Sequence, residues 1–215
     1  MNSTPAFQTV IFDLDGTLCD TIALIEASFE HAHREVLGET VDPAVVRTWI
    51  GRTLVDIYAA WPEHQQELVD SYIRFNLAHL EELQTNYDGI PELLHDLVAA
   101  GVRIGVATSK RREAAVRSLK ASGVDGTIDV LCAMEDTTEH KPSPEPLLKA
   151  LAIAGGEPAT SAYVGDALVD IQAAQAAGMA AVAVTWGAGD RTDLLLASPA
   201  AACDSVDDLR RVLLG

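Results

Sequence analysis

The sequence predicts an α/β fold, a doubly wound parallel sheet with a helical domain inserted after its first strand. Short β-favouring apolar runs at 10–12, 103–107, 127–132, 161–164 and 180–185 alternate with helical patterns. Strands of a parallel sheet buried on both faces look like this. Between the first and second runs, about residues 19–88, only helical periodicity is found. Asp13, Thr108 and Asp166 each sit at the end of a predicted strand. Open parallel sheets place their ligand crevice beyond those ends, so one crevice can gather all three.

Val10-Ile11-Phe12 ends abruptly in Asp13-Leu14-Asp15-Gly16-Thr17-Leu18. Strand alternation starts Asp13 and Asp15 on one side with Leu14 pointing away, and Gly16 lets the chain turn out of the sheet. From 20 to 37 the apolar residues Ile22, Ile25, Phe29, Ala32 and Val36 recur near helical spacing. Helical patterns follow at 43–50, 53–61 and 64–83, with Pro43 and Pro62 near their starts. Trp49, Tyr58 and Trp61 read as the core of this insertion rather than as substrate stackers. The segment around Cys19 and the pair Asp88-Gly89 are the expected linkers. This gives a core of residues 1–18 and 89–215 and an insertion of 19–88. Internal repeats and low-complexity segments are absent from the sequence.

Composition excludes several functions. Acidic residues outnumber basic ones 32 to 15 over 215 residues, for a formal net charge of −17. Such a field repels nucleic acid and anionic membranes, and neither is expected as a partner. It also repels phosphate, so a phosphate site must carry its own positive charge. Of only four lysines, Lys110 and Lys141 fall beside the strand-end motifs. Cys19, Cys132 and Cys203 have no paired spacing, which favours a reducing cytoplasm over a disulfide framework or zinc site. The stretch 1–8 lacks the basic flank and apolar core of a signal peptide, and the apolar run 173–186 is too short to span a bilayer. A cytoplasmic protein, monomeric or homodimeric, is expected.

Two carboxylates as close as Asp13 and Asp15 are costly unless a cation or a shared proton relieves them. Mg²⁺ prefers such oxygen ligands together with a phosphate partner. A calcium loop does not fit, because Phe12 and Leu14 flank the pair and Glu26 lies within a helical pattern. The segment Asp13-Leu14-Asp15-Gly16-Thr17-Leu18 resembles the first motif of the haloacid dehalogenase-like superfamily in its phosphatase form. Gly105-Val106-Ala107-Thr108-Ser109-Lys110 resembles the second, and His140-Lys141-Pro142-Ser143-Pro144-Glu145-Pro146 the third. Tyr163-Val164-Gly165-Asp166-Ala167-Leu168-Val169-Asp170 resembles the fourth. The motifs come in family order over nearly the whole chain. The resemblance implies a Rossmann-like core with an inserted α-helical cap.

It also implies roles. Asp13 is the expected nucleophile and Asp15 the general acid and base. Mg²⁺ is expected on the Asp13 side chain, the Asp15 backbone carbonyl and the Asp166 carboxylate. Thr108 is expected to donate to a phosphoryl oxygen, a role compatible with its also capping the following helix. Lys141 is expected between Asp13 and the phosphate. Asp170 orients Lys141 or a metal-bound water, unless it is a solvent-facing helix residue. Gly16, Thr17, Ser109 and Lys110 are further candidates for substrate contact. In capped relatives a loop such as Gly51-Arg52-Thr53-Leu54 reaches over the site, making Arg52 either a specificity residue or a surface ion-pair member.

Departures from relatives prune the reaction. Dehalogenating members lack the second acid, here Asp15. Phosphonoacetaldehyde-hydrolysing members need a cap lysine, and 19–88 contains none. Hexose-phosphate mutases of the β-phosphoglucomutase type use a cap lysine and a histidine soon after the first motif, where Thr21-Ile22-Ala23 offers none. Gly89-Ile90-Pro91-Glu92-Leu93-Leu94 and Ala107-Thr108-Ser109-Lys110 are similar to the phosphoglycolate phosphatase-like group. Hydrolysis of a small phosphorylated metabolite is the expected activity, with mutase or pyrophosphatase chemistry as alternatives. A catalytically silent module would require a lost motif residue, and none is lost.

Overall fold

A computed structural model describes residues 5–215; residues 1–4, the start of the expected core segment, lie outside the described residues. The first strand is β1 (Thr9–Phe12). The insertion follows as β2 (Cys19–Asp20), α1 (Ile22–Leu37), α2 (Pro43–Arg47), α3 (Leu54–Tyr58), α4 (Gln65–Leu83) and β3 (Thr85–Asn86). Next come α5 (Ile90–Ala99), β4 (Arg103–Ala107), α6 (Arg112–Ala121), β5 (Val130–Cys132) and α7 (Glu145–Ile153). The chain closes with β6 (Ser161–Gly165), α8 (Leu168–Ala176), β7 (Ala180–Val184), α9 (Arg191–Leu196), β8 (Ala201–Cys203) and α10 (Val206–Leu214).

Six strands form one sheet in the order β5-β4-β1-β6-β7-β8, every pairing parallel. The chain winds outward from β1 to β5, then returns to β6 on the other side of β1. That reversal is the topological switch point at which such sheets open a ligand crevice. Phe12 pairs with Val106 on one side and Val164 on the other, so the residues just beyond them converge.

Alternation along the strands explains the two layers. Val10, Phe12, Val164 and Val182 pack on one face with Leu93 and Leu97 of α5 and Leu209 of α10. Ile11, Tyr163 and Ala181 pack on the other with Leu147 of α7, Ile171 of α8 and Leu194 of α9. The insertion has a separate cluster in which Ile25 and Phe29 of α1 meet Val46, Ile57, Tyr58, Leu68 and Tyr72. Trp49 and Trp61 pack against this cluster, as their spacing suggested.

Several boundaries differ from the sequence reading. The pattern at 127–132 yields only Val130–Cys132, because backbone bonds from Thr127 and Ile128 to the Val124 carbonyl keep the chain turning. The patterns at 43–50 and 53–61 shrink to α2 and α3, because the N–H groups of Thr48, Trp49 and Ile50, and of Ala60 and Trp61, bond to carbonyls three residues back and tighten the chain into turns. Strand β8 carries no β-branched residue and gave no signal. Nor did the ribbon in which Cys19 pairs antiparallel with Asn86 and Asp20 with Thr85, where the chain enters and leaves the insertion.

Candidate active site

The crevice floor begins with Asp13, one residue past β1 and 2% exposed, its N–H donating to the Val164 carbonyl at 2.8 Å. Lys141 reaches it from the loop before α7, where a cis peptide joins Lys141 to Pro142. Its Nζ donates to Asp13 Oδ1 at 2.9 Å, Asp170 Oδ1 at 2.6 Å and the Tyr163 hydroxyl oxygen at 3.2 Å. An ammonium has three protons, and each has a partner here. Tyr163 in turn donates to the Ala107 carbonyl at 2.8 Å. Burial works against the charged form of Lys141, but the carboxylates of Asp13 and Asp170 outweigh it and hold its pKa well above the ordinary value.

Asp166 follows β6 and is fully buried. Thr17 Oγ1 donates to its Oδ1 at 3.0 Å and the Ala188 N–H to its Oδ2 at 2.8 Å. A Cβ at Gly16 (φ 78°) or at Gly187 would overlap this carboxylate, so both glycines allow the backbone to close around it. Burial, with Asp170 and Asp13 nearby, pushes Asp166 well above the usual carboxylate range. Burial likewise pushes Asp13 up to about 7, against the opposing pull of Lys141.

Oxygens of Asp13, Asp166 and Asp170 lie within 4.8 Å of one another, all buried. One lysine cannot balance three ionised carboxylates. The donors are hard oxygens throughout, and the set fits a small divalent cation. Asp170 is committed elsewhere: besides Lys141, its Oδ2 accepts the Ala167 N–H at 2.9 Å. Asp13 Oδ2 takes no hydrogen bond among the described residues, and Asp166 accepts only from neutral donors, so these two side chains keep negative charge for a cation.

Asp15 stands at the crevice edge with its side chain 14% exposed. Its Oδ1 accepts from Lys110 Nζ at 2.6 Å and from Thr21 Oγ1 at 2.7 Å. Thr108 lies just past β4, 4% exposed, and its Oγ1 accepts the Lys110 N–H at 3.2 Å. Ser109 Oγ donates to the Gly51 carbonyl at 2.7 Å, tying this loop to the insertion. Gly51 is wedged there, since a Cβ would press on Ala167 in the loop after β6 and on Val169 in the first turn of α8.

Above the floor lies a cavity of about 360 Å³ reached by Asp13, Asp15, Arg52, Thr108, Ser109 and Lys110. Arg52 is exposed and also borders a shallow cleft beside Lys141. No ion pair or side-chain hydrogen bond holds its guanidinium among the described residues.

The structure thus brings Asp13, Asp15, Thr108, Lys141, Asp166 and Asp170 to one crevice. It sets Asp170 on Lys141 and buries it fully, which removes the solvent-facing alternative. Gly16 and Thr17, candidates for substrate contact, face Asp166; Lys110 faces Asp15, and Ser109 faces Gly51. Thr21 and Tyr163 were missed as partners of the floor, and no spacing rule marks them. The loop Trp186-Gly187-Ala188-Gly189 was also missed, although two glycines directly after a strand signal close backbone approach.

The fold is a doubly wound sheet with a buried aspartate–lysine centre at its switch point and a helical roof over it. The family model for haloacid dehalogenase-like hydrolases matches residues 10–184, and the chain belongs to this family, in its phosphatase branch. Pyrophosphatase PpaX of Bacillus cereus (strain AH820) is 36% identical over 207 residues, 96% of each chain. A predicted phosphoglycolate phosphatase from Haemophilus somnus 129PT has a TM-score of 0.85 at 26% identity, covering 96% of this chain and 97% of its own. A hydrolase from Pseudomonas syringae has a TM-score of 0.86 at 24% identity, covering 94% and 96%, and speaks to the fold alone.

Proposed function

We propose that the protein is a Mg²⁺-dependent phosphatase that hydrolyses a small phosphate monoester, of the phosphoglycolate type, through an aspartyl-phosphate intermediate. The observation that carries this reading is the pairing of a buried Asp13, held by Lys141 at 2.9 Å, with a more exposed Asp15 on the same cavity. The two carboxylates have environments different enough for different tasks.

In this scheme an Asp13 oxygen attacks phosphorus and the bond to the ester oxygen breaks. Asp15 gives its proton to the departing alkoxide, then takes one from the water that attacks the aspartyl phosphate. That second attack frees phosphate and restores the Asp13 carboxylate. Lys141 draws Asp13 toward its ionised form and aims it, and Thr108 offers its hydroxyl to a phosphoryl oxygen. Mg²⁺, held by Asp13 and Asp166 with the Asp15 backbone carbonyl, would supply positive charge against the phosphoryl oxygens. Arg52 is free to grip a carboxylate at the far end of the substrate.

A second reading, hydrolysis of pyrophosphate, is favoured by the 36% identity to a pyrophosphatase. The acidic balance argues against nucleic acid and anionic membranes as partners, and three cysteines without paired spacing argue for the reducing cytoplasm. No helix among the described residues is long and apolar enough to cross a membrane. Phosphate release from a panel of phosphorylated metabolites and pyrophosphate, with Mg²⁺ and with chelator, tests the reading. Release from monoesters that stops in chelator is expected; release undiminished in excess chelator, or from no compound, overturns it.

A further inference from the structure

The cavity over the floor has two unlike halves. Its lower end carries Asp13, Asp15, Thr108 and Lys110. Its upper end runs into the insertion between α1, α3 and α4, where Trp49, Leu54, Ile73 and Leu77 are only half-buried. A substrate no larger than phosphoglycolate or pyrophosphate would leave these apolar walls facing water. Burying a carbon chain against them is favourable, by about 0.8 kcal/mol per methylene.

Size and charge point the same way. An apolar cavity of roughly 150 Å³ accepts benzene, and ligand pockets begin near about 300 Å³. At about 360 Å³ this cavity has space for a phosphoryl group and an apolar body together. The cations near its floor are already engaged: Lys110 is bonded to Asp15 at 2.6 Å and Arg111 to Glu135 at 3.2 Å. Asp70, Glu113 and Glu135 add negative charge to the lining. Arg52 alone is left for a second anionic group, which serves a polyanion such as pyrophosphate poorly.

We infer that the preferred substrate is a phosphate monoester whose alcohol carries an apolar body, aliphatic or aromatic, that lies against the α1–α3–α4 walls while its phosphate meets Asp13. The inference rests on the phosphatase reading of the same site and puts an apolar alcohol in place of the phosphoglycolate type as its preferred substrate.

Simple alkyl phosphates test this without altering the protein. Methyl, propyl and hexyl phosphate share nearly the same leaving-group basicity, so differences in kcat/KM with Mg²⁺ present report binding of the chain. A rise of up to about fourfold per methylene is expected, with hexyl phosphate above both phosphoglycolate and pyrophosphate. Hexylphosphonate, which cannot be hydrolysed, should inhibit more tightly than methylphosphonate by a similar ratio. In Leu54→Trp, which intrudes on the chamber, the hexyl-to-methyl ratio should collapse. A flat series, or phosphoglycolate or pyrophosphate ahead of hexyl phosphate, overturns the inference and leaves the phosphatase reading standing. Phosphate release from none of the compounds overturns both.

Discussion

Floor and roof of this crevice are built on opposite principles. On the floor Asp13, Lys141, Asp166 and Asp170 are at most 4% exposed, and each has at least one named partner. In the roof Arg52 is exposed and unpaired, and one bond from Ser109 to Gly51 joins the loop to the core. The difference separates two tasks. Fixed partners over-determine the positions of the reacting groups, as chemistry within a fraction of an ångström requires. The sparse roof can change what it accepts without disturbing them.

The contrast is tested hardest at Asp13. Asp13→Asn is nearly isosteric and should lower phosphate release on every substrate by more than about a thousandfold while the unfolding midpoint barely moves. Loss on some substrates only would transfer the chemistry away from the floor. Lys141→Met should lower stability by about 3–5 kcal/mol in urea unfolding, because Asp13 and Asp170 would stay buried without their cation. A change below about 1 kcal/mol would show that water readily replaces it.

Metal should matter to the floor and not to the roof. Asp13 is held near about 7 against a usual 3.8, so the metal-free native state binds more protons than the unfolded chain between those values. Stability then falls as pH rises through that window. Mg²⁺ at a hundredfold excess over its Kd should restore about 2.7 kcal/mol. The matching rise in Tm should be larger above about pH 7 than near the usual carboxylate pKa, and equal rises at both would break the argument. Arg52→Ala should reduce kcat/KM on carboxylate-bearing phosphates by about 2–3 kcal/mol and change p-nitrophenyl phosphate much less. Equal losses would make Arg52 a general phosphate binder. Ser109→Ala should cost about 0.5–1.5 kcal/mol in kcat/KM on all substrates alike, as loss of a single neutral bond does.

Legibility in the sequence divides along the same line. Asp13, Asp15, Thr108, Asp166 and Asp170 were visible because each stands at a strand end or a fixed step from one, and Lys141 because its Pro-rich surroundings resemble a family motif. Alternation revealed five of the six parallel strands. The sixth, Ala201–Cys203, and the ribbon of Cys19–Asp20 with Thr85–Asn86 are set by long-range pairing that no local pattern encodes. Lys110 was singled out, but its partner Asp15 lies 95 residues away. The void under α1, α3 and α4 was invisible for a similar reason. Leu54 and Ile73 read as ordinary core residues, and only packing shows that they border a cavity.

The ribbon has a further consequence. Because Cys19 faces Asn86 across a hydrogen-bonded pair, the two ends of everything between them are held side by side at the rim of the sheet. A segment inserted there need only begin and end at neighbouring points. It is under no demand to have a particular length or shape, and loop-closure cost grows only slowly with length. The main sheet is completed by residues outside the ribbon. The roof is thus an interchangeable module: another insertion grafted between residues 19 and 86 could redirect the enzyme to new substrates while Asp13 and its partners stay in place.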